Sequence, residues 1–407
     1  MPPSPDDLPS TDTFESPPLP PAPGDVPPAG GYALAIVFTG SGSEYLRIWI
    51  VNLLLTLVTF GIYYPWAKVR RLRYFYGNTL VGEHPLDFHG DPKRMLRGYA
   101  LITLLLVLYS NAGRFSPMAG MVAFLILAAV WPALFRASQQ FRLANTSWRG
   151  LRFRFTGDMA GAYRTMLPLF VPVLALVLLD MAASGAPPSA TKMPSAWIIA
   201  STFAPLLFVP LQWWLLKKFQ HDHYAIGQAT TEFPTGPGSF YAVFARTAGV
   251  SLLVGLCGGL LGLIVAGGSM VALLGGKLSF DSTAVMAAFA FAVLALYIAM
   301  ALAIGPYATS RLQNLVWNRT KSTELRFESS LRFWPLLRLT LKNWLLMLLT
   351  LGMYWPFAKV ATTRLRLQAV TVFTRIAPDE LVSRTLAGAA DATGDAAGDM
   401  FGIDIGL

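Results

Sequence analysis

The chain has 407 residues and a net charge of +10, with 54% hydrophobic and only 13% charged residues. A soluble domain usually carries about 25% charged residues, so this composition excludes an ordinary soluble protein and favours one surrounded by lipid. Lys and Arg cluster in the links between apolar segments, which fits a membrane protein better than a nucleic-acid-binding one. The single cysteine, Cys257, excludes an intramolecular disulfide and a cysteine-based zinc site.

The two ends of the chain differ in composition from the rest. Residues 1–30 are rich in proline and acidic residues, and they lack the basic and apolar regions of a signal peptide. Such a composition is typical of a disordered segment. We therefore predict a disordered tail over residues 1–30, a membrane domain with internal repeats over residues 31–376, and a loose C-terminal tail over residues 377–407.

Eight apolar segments follow the first tail, and most are as long as the roughly 20 residues that a membrane-spanning helix needs. The links between them are alternately rich in basic residues and nearly free of them. This alternation predicts helical hairpins that leave the cytoplasm and return to it. The first and last segments either cross fully or re-enter, and the sequence leaves both open. The segments are Tyr45–Trp66, Gly98–Ser110, Met118–Phe135, Thr165–Ala183, Trp197–Leu216, Ala248–Val271, Thr283–Tyr307 and Leu336–Trp355.

The first and last apolar segments resemble each other without a gap. Asn52–Val69 reads NLLLTLVTFGIYYPWAKV, and Asn343–Val360 reads NWLLMLLTLGMYWPFAKV. Glycine permits a tight turn, proline begins or bends a helix, and Tyr and Trp suit the headgroup region. The pattern predicts either two interfacial helix ends or two broken helices that line one shared site. The residues of this candidate site are Asn52, Thr59, Gly61, Tyr63, Pro65, Lys68, Asn343, Thr350, Gly352, Tyr354, Pro356 and Lys359.

A second, weaker similarity lies in the basic links. Asn78 precedes Phe88 by the same spacing as Asn145 precedes Phe155, and each Phe is followed two residues later by Gly. Leu151–Phe155 alternates apolar and basic side chains, which indicates a strand. Together the segments predict an all-α polytopic membrane protein with six to eight transmembrane helices and short cytoplasmic β-strands between hairpins.

These motifs carry a resemblance to a known family. The run TFGIYYPWAKVR over Thr59–Arg70, followed by Asn78-Thr79, Phe88-x-Gly90 and Gly98-Tyr99, resembles the bacterial YjgN-like inner-membrane family, domain of unknown function 898. The resemblance runs from about Phe38 to about Arg366. It implies a multi-pass protein of the bacterial inner (cytoplasmic) membrane, and it implies no reaction and no catalytic residues.

The sequence offers little chemistry of its own. It contains no phosphate-binding loop of the Gly-x4-Gly-Lys-Ser/Thr type and no His-Glu-x-x-His motif, and no two carboxylates share an apolar segment. We therefore predict that the protein is not an enzyme and has no catalytic residue, cofactor or metal.

Two functions remain open from the sequence. The first is a transporter-like or channel-like role for a small solute. The alternative is a structural or interaction protein that organises lipids or partner proteins through a basic cytoplasmic face. Nucleic acid is not an expected partner. Anionic lipid headgroups are, because basic residues interleaved with aromatic ones suit a membrane surface. The residues predicted to contact headgroups are Arg70, Arg71 and Arg73.

Overall fold

The computed structural model describes residues 31–184, 195–227, 229–274 and 282–383. The predicted tail over residues 1–30 and residues 384–407 of the other tail lie outside the described residues. Within these ranges, pairs of helices alternate with pairs of strands along the chain. The helices are α1 (Gly42–Val58), α2 (Tyr64–Gly77), α3 (Pro92–Phe115), α4 (Pro117–Ala144), α5 (Met159–Ser184), α6 (Ser195–His221), α7 (Pro237–Leu274), α8 (Ser282–Arg319), α9 (Phe333–Leu349) and α10 (Trp355–Gln368). The strands are β1 (Tyr32–Phe38), β2 (Thr79–Val81), β3 (His84–Phe88), β4 (Thr146–Trp148), β5 (Leu151–Phe155), β6 (Tyr224–Ile226), β7 (Ala229–Glu232), β8 (Lys321–Ser322), β9 (Leu325–Ser329) and β10 (Val370–Thr374).

The strands close into one antiparallel barrel in the order β1-β10-β9-β8-β7-β6-β5-β4-β3-β2. Short hairpins build it, and the turn between β4 and β5 places Arg149 and Gly150 at φ 51° and 82°. Two successive positive φ angles are typical of a type I′ turn, whose twist matches that of the strands it joins. Pairing of β1 with β10 closes the barrel, with Leu34 opposite Val372.

A Phe-x-Gly sequence marks the point where a strand leads into a helix. Phe38, Phe88 and Phe155 are the last residues of β1, β3 and β5. The ring of each lies over the glycine two residues later, where a Cβ atom would come within 2.8 Å of the Phe38 ring and 2.5 Å of the Phe88 ring. Only glycine fits so close to an aromatic ring, which explains the spacing in the sequence.

The inside of the barrel is an apolar core. Trp148, Leu151, Ile226 and Leu325 belong to one buried cluster, to which all strands except β8 contribute. Leu381 belongs to the same cluster and is 3% exposed. Of the predicted C-terminal tail, residues 377–383 are thus packed against the barrel.

The helices form a ring that continues from the barrel. Consecutive helices contact each other along the chain, and α1 also contacts α10, so the ring closes where the barrel closes.

The link between α3 and α4 is a single residue, Ser116. Ser116 is extended at φ −166°, and its hydroxyl accepts a hydrogen bond from the backbone N–H of Ala119 at 3.0 Å. Ser116 is therefore the N-cap of α4 and the only residue between the two helices.

The structure corrects the predicted fold class. Among the described residues, three helices are long and apolar enough to cross a membrane, namely α3, α4 and the Pro237–Leu260 segment of α7. The prediction of an all-α protein with six to eight transmembrane helices is therefore wrong. The strands are also more than short elements between hairpins, because they pair with one another until no edge is left unpaired. Apolar length alone does not reveal such pairing between distant links.

Candidate functional site

The two similar segments form two short helical hairpins of the same size. The N-terminal hairpin comprises α1 and α2, and the C-terminal hairpin comprises α9 and α10. Their first helices have 17 residues each and their second helices 14 each. At a rise of about 1.5 Å per residue, the first helices are about 25 Å long, less than the roughly 30 Å of a bilayer core.

Each first helix ends in the same backbone turn. Gly61 and Gly352 both lie at φ +89°, a conformation that favours glycine. The Gly61 N–H donates to the carbonyl of Thr56 at 2.8 Å, and the Gly352 N–H donates to the carbonyl of Met347 at 2.7 Å. This six-residue bond is the one that closes a Schellman motif, and it satisfies a carbonyl at the helix end.

The threonines of the motif connect the two helices of their hairpins. Thr59 donates to the carbonyl of Leu55 at 2.7 Å and accepts from the backbone N–H of Tyr63 at 3.0 Å. Thr350 repeats both bonds with the same lengths, accepting from the backbone N–H of Tyr354. The prolines of the motif, Pro65 and Pro356, occupy the first turn of α2 and of α10, where a missing N–H costs nothing.

Asn52 and Asn343 lie inside their own hairpins. The Asn52 amide donates to the carbonyl of Ala67 at 3.4 Å, and the Asn343 amide donates to the carbonyl of Ala358 at 3.5 Å. Both side chains are buried, and the Oδ1 atom of each has no hydrogen-bond partner. Each asparagine thus bonds within its own hairpin and holds the second helix against the first.

The lysines of the motif line cavities. Lys68 lies in a first cavity of about 400 Å³ between α2, α3 and α4. Its ammonium donates to the hydroxyl of Tyr99 at 2.9 Å and lies 5.2 Å from the centre of that ring. Burial lowers the pKa of Lys68, and the positive charges of Arg71 and Arg142 lower it further, while Tyr64 opposes the shift.

Lys359 lies in a second cavity of about 520 Å³, bounded by α2, α8, α10 and the first strands of the barrel. Lys359 is exposed, and it lines this cavity. The loss of solvent lowers the pKa of Lys359, and the like charges of Arg71 and Arg366 add to the effect.

Basic side chains on several helices act on one another's charge. Lys217 near the end of α6 has its pKa lowered by burial, then by the charges of Arg142 on α4 and Arg366 on α10. We call this set of cations the basic belt. The basic belt consists of Lys68, Arg71, Arg142, Lys217, Lys359 and Arg366.

Neutral side chains hold the belt in place. Arg142 donates to Oε1 of Gln139 at 2.8 Å, and the Nε atom of Arg366 donates to Oε1 of Gln313 at 2.8 Å. Both glutamines are buried. Neither cavity is lined by an Asp or Glu among the described residues. The two glutamines therefore orient Arg142 and Arg366 without adding a negative charge.

The three arginines predicted to contact headgroups point in different directions. Arg70 and Arg73 are exposed on α2. Arg71 is partly buried and lines the first cavity. The structure thus leaves two of the three on the outer surface and places one in the basic belt.

Sequence reasoning missed half of the belt, namely Arg142, Lys217 and Arg366. Each lies where an apolar helix meets a strand, and the excess of basic residues in such links was attributed to membrane orientation. The available signal was the pairing with glutamine, which is three residues away at Gln139 for Arg142 and at Gln220 for Lys217.

Comparison with known proteins assigns the chain to a family. A family model described as "Bacterial protein of unknown function (DUF898)" matches residues 33–400. The chain belongs to this family. The chain is 34% identical over 145 residues to "Inner membrane protein YjgN" of Salmonella typhimurium, and 28% identical over 146 residues to the protein of that name from Escherichia coli strain K12. These matches cover 35% and 34% of this chain, and 36% and 35% of the relatives, so the chain matches about a third of their length. No solved structure matches the chain.

Family membership confirms the resemblance that the Gly-Ile-Tyr-Tyr-Pro-Trp motif indicated. The relatives are named as inner-membrane proteins, and three described helices are able to cross a membrane. The predicted location in the bacterial inner membrane is therefore confirmed. The printed name of the family specifies no reaction or solute.

Proposed function

We propose that this protein is a transporter-like or channel-like protein of the inner membrane that moves a small solute along the axis of the helix ring. The proposal rests on one observation, the basic belt. Charged groups are costly inside a membrane protein, and where they occur they usually face a water-filled route or a ligand. Cations from four helices around one axis suit that role better than a structural one.

The ring geometry supports a route through the centre. Five helical hairpins surround the axis, counting the N-terminal and C-terminal hairpins. The two short hairpins repeat one turn at Gly61 and Gly352, and we propose that they form an internal repeat. Repeated broken helices beside a central site are typical of secondary transporters.

The barrel would close the proposed route at one end. The apolar core of the barrel, with Trp148 and Leu381 inside it, leaves no polar path through the strands. Arg149 forms an ion pair with Asp379, which holds the segment over residues 375–383 against the barrel. An apolar constriction next to a charged cavity is an arrangement by which channels and transporters close. The proposal assigns no catalytic step to the protein.

Reconstituted vesicles test the proposal. The full-length protein is incorporated into liposomes, and uptake of neutral, cationic and anionic small solutes is measured. We expect protein-dependent uptake of at least one class, and loss of that uptake in the Arg142→Gln/Arg366→Gln variant. The matched control is Arg70→Gln/Arg73→Gln, which removes the same charge from the outer surface. Absence of uptake for every class, with the protein folded and correctly inserted, would contradict the proposal.

One observation favours the alternative of a protein that organises lipids or partners. Arg70 and Arg73 remain exposed, and the apolar tips of both hairpins are exposed as well, with Phe60 at 96% and Leu351 at 93%. Basic and apolar groups together suit a lipid surface. The control variant above separates the two functions, because Arg70→Gln/Arg73→Gln should weaken binding to anionic vesicles if the alternative is right.

A further inference from the structure

We propose that the basic belt is a binding site for a small free oxyanion of the phosphate type. This inference rests on the proposed function and deepens it, because it names the class of solute. Three cations of the belt line the first cavity (Lys68, Arg71 and Arg142), and two line the second (Lys359 and Arg366). No described acidic side chain lines either cavity.

Like charges of the belt act on one another in pairs. Arg142 acts on both Lys68 and Lys217, and Arg366 acts on both Lys217 and Lys359. The charge of Arg71, in the N-terminal hairpin, also lowers the pKa of Lys359 in the C-terminal hairpin. A set of like charges without counter-charges destabilises the fold unless an anion neutralises it. An anion bound in either cavity would offset the like charges that line it.

Three ion pairs of described residues lie outside the belt, namely Arg149 with Asp379, Lys218 with Asp222, and Arg326 with Glu328. The neighbouring Lys218 shows that the end of α6 does accommodate a carboxylate partner. Lys217, one residue earlier, donates to Oε1 of Gln220 at 3.1 Å instead. Neutral partners keep the positive charge of the belt available to a ligand.

The chemistry and the size of the cavities indicate an oxyanion. Arginine presents several N–H donors in one plane and binds phosphate or carboxylate through paired hydrogen bonds. The belt contains Arg71, Arg142 and Arg366, of which the last two are exposed to the cavities. Volumes of about 400 and 520 Å³ fall in the range of about 300 to 1,000 Å³ that is usual for small-molecule sites.

Direct binding of inorganic phosphate tests this inference. The full-length protein in detergent is dialysed against radiolabelled phosphate at constant ionic strength and neutral pH. We expect saturable binding, weakened about tenfold or more in Arg142→Gln/Arg366→Gln, because each charged hydrogen bond contributes substantially. In the matched control Arg70→Gln/Arg73→Gln, affinity should change by less than about twofold, since screened surface charges contribute little.

Several outcomes would overturn the inference. They are the absence of phosphate binding by the natural protein, and an equal loss of affinity in the control variant. Displacement of phosphate by dioctanoyl phosphatidylglycerol would assign the site to lipid headgroups and overturn the free-solute form. A melting curve of each variant shows whether the protein is folded, and Lys359→Gln provides a second belt variant if the arginine variant is not.

The test is separable from that of the proposed function. Phosphate binding without uptake of any solute would leave the oxyanion site in place and remove the transport role. Uptake of neutral or cationic solutes without phosphate binding would support the transport role and exclude the oxyanion site.

Discussion

In the N-terminal hairpin the Lys68 ammonium donates to Tyr99 on the neighbouring helix α3, whereas in the C-terminal hairpin Lys359 lies in a cavity beside Arg366 of its own helix. The backbone turns before these two lysines are alike in φ angle and in hydrogen bonding. Local sequence therefore determines the turn, while the neighbouring helices determine the surroundings of the lysine. A shared motif predicts shared geometry but not a shared site.

The largest expected effect tests the likeness of the turns. Gly61→Ala and Gly352→Ala should each lower the free energy of unfolding by about 1 to 3 kcal/mol, because an L-residue is strained at φ +89°. No atom lies within 4 Å of an added Cβ at either position, so the cost comes from the backbone alone. Denaturation in detergent micelles measures it.

The control for this pair is Gly77→Ala at the end of α2. An added Cβ there also meets nothing within 4 Å, and its φ is not in the positive range. We expect no loss of stability, and a gain of up to about 1 kcal/mol from reduced freedom of the unfolded chain. A clear difference between Gly61→Ala and Gly352→Ala would show that the two turns are not equivalent.

A smaller effect should separate the two hairpins. Asn343 donates a second hydrogen bond, to the hydroxyl of Thr362 at 3.3 Å, and the corresponding position in the N-terminal hairpin is Arg71. Asn343→Leu should therefore cost about 0.5 to 1.5 kcal/mol more than Asn52→Leu. In a Thr362→Val background this excess should disappear. Equal costs in the natural background would mean that the Thr362 contact contributes nothing.

Some of this architecture could be predicted from the sequence. The alternation in Leu151–Phe155 predicts a strand, and β5 has the same bounds. The Gly-Tyr-Pro motif predicts a turn followed by a new helix, which is what begins at Tyr64 and at Trp355. These features depend on residues that are close in the chain.

The features that could not be predicted depend on residues that are far apart in the chain. Barrel closure joins strand β1 to β10, and nothing in either strand specifies the other. The first cavity likewise combines Lys68 and Arg71 of α2 with Arg142 of α4, and a sequence in which basic residues are expected at every helix end gives no sign of that grouping. Apolar length also overestimated the number of spanning helices among the described residues, in part because it does not register where α1 and α9 end.

The two short hairpins lie side by side because the ring closes where β1 pairs with β10. A cross-link between β1 and β10 tests this closure. Ala35 and Thr371 are paired in the β1–β10 register. Opposed residues of antiparallel strands have Cα atoms about 4.5 to 5.5 Å apart, within the range of a disulfide. In a Cys257→Ser background, Ala35→Cys/Thr371→Cys should form a disulfide and migrate faster in electrophoresis.

The reference pair is Thr371→Cys/Glu328→Cys, which joins β10 to its other neighbour, β9. We expect both cysteine pairs to cross-link under mild oxidation in native membranes. Cross-linking of the reference pair without cross-linking of Ala35→Cys/Thr371→Cys would mean that the ring is open, and it would contradict the account.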